Sequence, residues 1–133
     1  MIEWNDSFSV GVSKMDAQHK VLLSQVNELC SAVLDNRSSD VLGKILNMLA
    51  AYTVSHFKAE EQWMAQNCTQ DFIDRELPKH IAIHEKLLTQ VGAYMEQFKK
   101  GEIVGAAVLN FLTDWLLTHI AEEDMLYNPK KQS

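Results

Sequence analysis

Cysteine is scarce. Cys30 and Cys68 stand far apart with no C-x-x-C partner, which excludes a disulfide framework and a thiolate metal site. Glycine and proline are nearly as rare, at five and two residues, too few for an all-β domain that turns every few residues. Cations are in deficit: 12 lysines and arginines against 18 acids leave a net charge of −6, which repels phosphate backbones and anionic lipid surfaces. Neither nucleic acid nor membrane is therefore an expected partner. No stretch approaches the roughly 18 apolar residues of a membrane span, and Met1 to Asp6 lacks the basic segment and apolar run of a signal peptide. A cytoplasmic protein is expected. Also missing are a glycine-rich phosphate loop, a GxSxG elbow, the HExxH of zinc proteases and the Glu-x-x-His of ferritin-like di-iron enzymes.

What is present is a helical pattern. The 133 residues suffice for one core, expected as a single domain over 1–133. After an irregular arm of about a dozen residues, Ser13 and Asp16 form a start resembling a capping box, and Met15, His19, Leu22, Val26, Leu29 and Val33 make an apolar stripe. A second helix is expected from Ser39-Asp40 to Gln66-Asn67, with Leu42, Ile45, Leu49, Tyr52, His56, Glu60 and Trp63 on one face. Cys68 to Leu77 is the least regular stretch, and Pro78 is expected in the first turn of the third helix. That helix carries His80, His84, Leu87, Val91, Tyr94 or Met95, and Phe98, and closes at Lys99-Lys100-Gly101. The fourth carries Val104, Val108, Phe111 or Leu112, Trp115, His119 and Asp124, and stops by Asn128-Pro129. Four helices with mostly short links predict an all-α, antiparallel up-down-up-down four-helix bundle.

All five histidines, His19, His56, His80, His84 and His119, fall on the stripes expected to be buried. One histidine on an apolar face is most often a hydrogen-bonded core residue; five together point to ligands. His56 with Glu60, and His80 with His84, are four apart and lie about 40° apart around a helix, so each pair addresses one point. His119 and Asp124 are five apart, about 140° on an ideal helix, so their convergence needs a distortion near the helix end. A buried carboxylate costs several kcal/mol unless paired or bound to a cation, and no lysine or arginine occupies the matching stripe positions. A metal would satisfy Glu60 and Asp124. Surface exposure is the competing reading of both acids, and for Glu60, beside Glu61, the two weigh equally. Seven side chains exceed one tetrahedral zinc and fit two divalent ions sharing carboxylates, with iron, zinc, manganese and cobalt all compatible by ligand type.

The ordered set Trp4, Val10-Gly11-Val12, Asp16-Ala17-Gln18-His19, Asn27-Glu28-Leu29, His56-Phe57-Lys58-Ala59-Glu60-Glu61, His80-x3-His84 and Trp115-Leu116-x2-His119-Ile120-x3-Asp124 resembles the hemerythrin family, in particular its bacterial branch. The resemblance covers nearly the whole chain. It implies two iron ions with an oxo or hydroxo bridge: His80, His84 and His119 on one, His19 and His56 on the other, and Glu60 and Asp124 bridging. One iron would keep an open position for dioxygen, bound reversibly as the ferrous pair gives up two electrons and the hydroxo proton moves to the bound peroxide. The resemblance further implies a carrier or store and not an enzyme, with Leu116, Trp115 and Ile120 as dry walls around the gas. A sensory module coupled to a fused or separate signalling domain is the alternative implied, and either would need an electron donor. Tyr52 and Tyr94 are candidates for hydrogen bonds near the site. Pro78, and Met125-Leu126-Tyr127 after Asp124, depart from the pattern.

Overall fold

The computed structural model describes residues 2–102 and 105–129; Val104, expected on the fourth stripe, and Lys130 to Ser133 lie outside them. Four helices, α1 (Ser13–Leu34), α2 (Ser39–Asn67), α3 (Gln70–Lys99) and α4 (Gly105–Thr118), make up the all-α bundle, with no strand among the described residues. α1 packs on α2 and α4, and α2 on α3; α3 and α4 approach each other less closely. The core is built from the expected stripes: Met15, Leu22, Val26 and Leu29 of α1, Ile45 and Leu49 of α2, Leu87 and Val91 of α3, and Val108 and Leu112 of α4 are all buried.

Two starts differ from expectation. Ser13 is the first helical residue of α1, and Asp16 reaches past it, accepting hydrogen bonds from the Val10 amide (2.8 Å) and the Ser9 hydroxyl (2.6 Å). The arm is fastened further by Asn27, whose side chain bonds both the Ile2 amide (2.8 Å) and the Ile2 carbonyl (2.7 Å). α3 begins eight residues before Pro78, not at it. Thr69 caps it by accepting from the Phe72 amide at 3.2 Å, and Phe72 is buried in the core. The cap and the Phe72 anchor hold Cys68 to Leu77 in register with the helix. Pro78 then sits inside α3 at a position that ordinarily costs about 3 kcal/mol, since the Asp74 carbonyl loses its helical donor.

The end of α4 departs most. After Thr118 the chain passes into a π turn, His119–Glu123, and then a 3-10 turn, Asp124–Tyr127. The Asp124 amide donates to the His119 and Ile120 carbonyls. In a π turn, residues five apart take the relation that residues four apart have in an α-helix. This is the distortion that the His119 to Asp124 spacing demanded, and it turns both side chains inward.

Candidate metal centre

α1 supplies His19, α2 His56 and Glu60, α3 His80 and His84, and the π turn His119 with Asp124 just beyond it. All seven are buried; Glu60 and Asp124 are 0% exposed, which rejects the surface reading of both acids. Their donor atoms form two groups, Glu60, His80, His84, His119 and Asp124 in one and His19, His56, Glu60 and Asp124 in the other, the atoms of each within 4.8 Å of one another. The carboxylates belong to both. Asp124 divides its oxygens between them, Oδ1 lying 2.8 Å from His119 Nε2 and 3.0 Å from His80 Nε2, and Oδ2 3.0 Å from His19 Nε2. Glu60 Oε1 lies 3.3 Å from His84 Nε2 and 3.4 Å from His56 Nε2, and Oε2 3.3 Å from His19 Nε2.

These spacings fit metal ions better than hydrogen bonds. Donors about 2.1 Å from a six-coordinate ion stand about 3 Å apart along each octahedral edge. Glu60 Oε1, both Asp124 oxygens and His80 Nε2 are buried without a hydrogen-bond partner, a costly condition that cations at the centre would relieve. His84 Nε2 and His119 Nε2 face each other at 3.1 Å, as two lone pairs do when aimed at one ion. Outward partners fix two of the rings: His56 Nδ1–H donates to Gln18 (2.6 Å) and His84 Nδ1–H to Glu61 (3.1 Å), leaving each Nε2 lone pair inward. Phe57 stacks on His84 (3.6 Å between centroids, planes 3° apart) and Trp115 on His119 (4.3 Å, 13°).

The tyrosine at the centre is neither Tyr52 nor Tyr94, which are half-buried, Tyr94 packing at a tilt on Phe111. It is Tyr127, wholly buried, whose hydroxyl donates to Glu60 Oε2 at 2.5 Å. Burial and the Glu60 and Asp124 charges push its pKa far upward, so it stays a donor. Its position three residues past Asp124 gave no signal of this role, because the reach depends on the π turn.

Electrostatics show what the carboxylates do without a cation. Burial would lower His19 and His80, but close contact with Asp124 and Glu60 outweighs it and raises them to about 9 and about 10. Burial lowers His56 to about 4, the pull of Glu60 only partly opposing it. Burial would raise Glu60, yet His19, His80 and His84 hold it well below the usual carboxylate range; Asp124, pushed up by burial and by Glu60, is held down by His119 and His19. Two protons thus stand in for cations.

The pH dependence of the metal-free chain follows. The raised pKa values of His19 and His80 contribute stability that is whole below about 6.5 and lost as pH climbs through 9 to 10. The depressed His56 works oppositely, the unfolded chain taking up a proton between about 6.5 and 4 that the fold refuses. The urea midpoint of metal-free protein should peak near pH 6.5 and fall on both sides. In metal-loaded protein the alkaline fall to pH 10 should vanish, because those two protons have already left. An alkaline limb unchanged by metal would place the ions elsewhere.

The hemerythrin HHE cation binding domain matches residues 10–130. A bacteriohemerythrin of Methylococcus capsulatus is 37% identical over 124 residues, spanning 92% of this chain and 89% of its own, and a hemerythrin-like protein of Naegleria gruberi is 33% identical over 93% and 88%. A crystal structure of wild-type hemerythrin superposes with a TM-score of 0.84 at 32% identity, covering 100% of this chain and 99% of its own. With its helices, its two converging donor sets and these relatives in agreement, the chain belongs to the hemerythrin family.

Proposed function

We propose that this chain reversibly binds dioxygen at a pair of iron ions as a non-enzymatic cytoplasmic carrier or store. The observation that carries the reading is the pair of donor sets with two shared carboxylates, one set holding three imidazoles and the other two. His80, His84 and His119 would hold one ion, His19 and His56 the other, and Glu60 and Asp124 would bridge them. The set poorer by one imidazole would leave its ion one coordination position open. Such a ferrous pair, when bound, supplies two electrons to dioxygen and recovers them on release.

The chain's own part is to hold the donors rigid and the gas dry. A cavity of about 20 Å³, room for one small molecule, lies within a turn of His19 and His56, walled by Leu22, Leu49, Phe57, Leu112, Trp115 and Leu116. Thr53 also lines it, but its hydroxyl is spent on the Leu49 carbonyl at 2.7 Å and donates nothing inward. Of the three residues proposed as dry walls, Leu116 and Trp115 line this cavity, and Ile120 is buried but does not. Among the described residues no acid or base lines this cavity, and the Tyr127 proton beside the donors is held by Glu60. That supports binding over turnover. No helix of the described residues is long and apolar enough to cross a membrane.

The test is metal analysis with optical spectra of anaerobic, reduced protein before and after oxygen. Two irons per chain, and a visible absorption that appears with oxygen and disappears on its removal, are expected. One zinc with a featureless spectrum would overturn the proposal, and steady turnover with a reductant would replace carrier by oxidase.

A further inference from the structure

The seven metal donors are all buried, none more than 3% exposed. Where α3 and α4 draw apart, a groove of about 560 Å³ opens, and His119 alone of the seven donors lines it. Ile83, Leu87, Phe111 and Trp115 make an apolar floor; Lys86, Gln90, Asp114 and Glu123 stand on the rim. The size falls within the roughly 300–1,000 Å³ of small-molecule and cofactor sites. Trp115 separates this groove from the small inner cavity and lies face to face with the His119 ring. Lys86, Asp114 and Glu123 have no ion-pair partner among the described residues, so the rim offers one free cation and two free carboxylates.

We infer that this groove is the docking site of a reduced flavin, which returns electrons to the metal centre through Trp115 and His119. The inference rests on the proposed iron pair for its purpose but not for its binding. The occupant is fixed by chemistry. A flat ring system fits the apolar floor and stacks on Phe111 and Trp115. Ring N–H groups suit the Asp114 and Glu123 carboxylates, and a phosphate tail suits Lys86. A flavin hydroquinone carries two electrons, the number needed by two ferric ions. The flavin leaves oxidised, the two ions become ferrous, and the two ring protons pass to solvent.

Flavin mononucleotide and riboflavin, titrated with iron-loaded and metal-free protein, provide the test through quenching of flavin emission. Saturable quenching at micromolar protein is expected in both forms. Lys86→Glu should weaken flavin mononucleotide at least fivefold and leave riboflavin unmoved, since only the former has the phosphate. Gln90→Trp, which fills the groove from its exposed rim, should weaken both more than tenfold. It should also slow bleaching of the ferric absorption by reduced flavin mononucleotide by a similar factor without slowing dithionite. Absence of saturation, a flavin mononucleotide Kd unchanged by Lys86→Glu, or a Kd of either flavin unchanged by Gln90→Trp, overturns the inference. Flavin binding by a chain that takes up no iron would defeat the oxygen proposal and leave the groove assignment standing; an iron-loaded chain indifferent to flavin would do the reverse.

Discussion

Glu60→Ala is expected to abolish iron uptake and to destabilise the metal-free chain by about 3–5 kcal/mol, the range for removing one member of a buried charge pair. Glu60 is 0% exposed and is approached within 3.4 Å by three imidazoles and by the Tyr127 hydroxyl at 2.5 Å. Without it, both donor sets lose an oxygen at once, because Glu60 belongs to each. The protonated His19 and His80 would then share Asp124 as their only buried counter-charge among the described residues. Glu60→Gln separates the two effects. An amide oxygen can still accept from Tyr127 and fills the same space, so much of the lost stability should return, while iron uptake should not, since the neutral oxygen is a poor bridge between cations. Metal analysis and urea denaturation at pH 7 read both outcomes; iron occupancy unchanged in Glu60→Ala would refute the bridging role.

Phe57→Ala is expected to cost about 3–5 kcal/mol while leaving all seven donors in place. Phe57 is 2% exposed, lies flat on His84 and closes the inner cavity. Its removal would join a benzyl-sized void to the existing space, large enough for water where the wall is now apolar. Iron should still bind, and spontaneous oxidation of the oxygenated protein should quicken at least tenfold. Phe57→Leu, which keeps most of the volume but not the flat face, should cost under about 1.5 kcal/mol and give an intermediate oxidation rate. A stable Phe57→Ala protein, or an unchanged oxidation rate, would show that this ring is not the barrier to water.

The sequence was legible where periodicity alone decides geometry. His56 with Glu60 and His80 with His84 are four apart on straight helix, and their stripes set the inward face without further information. It was less legible where a local contact overrides a local rule. Pro78 marked a helix start by its own chemistry, yet Thr69 and the buried Phe72 carry α3 through it. Asp16 was recognised as a capping acid, but its partners are Val10 and Ser9, not Ser13. Gln18, Phe57 and Glu61 were visible as neighbours of donors, while their contacts with His56 and His84 needed coordinates, because each reaches across from one helix to another. Tyr127 was least visible: the five-residue spacing of His119 and Asp124 called for a distortion near the helix end, but nothing in it said that the altered backbone would carry the Tyr127 hydroxyl to Glu60.

That irregularity bears on how such a centre could be built anew. An ideal bundle with six of the donors grafted at straight-helix positions would leave the seventh rotated away from the cavity, however well its core was packed. The widened coil from His119 to Glu123 would have to be drawn into the scaffold first, and the remaining helices arranged around it.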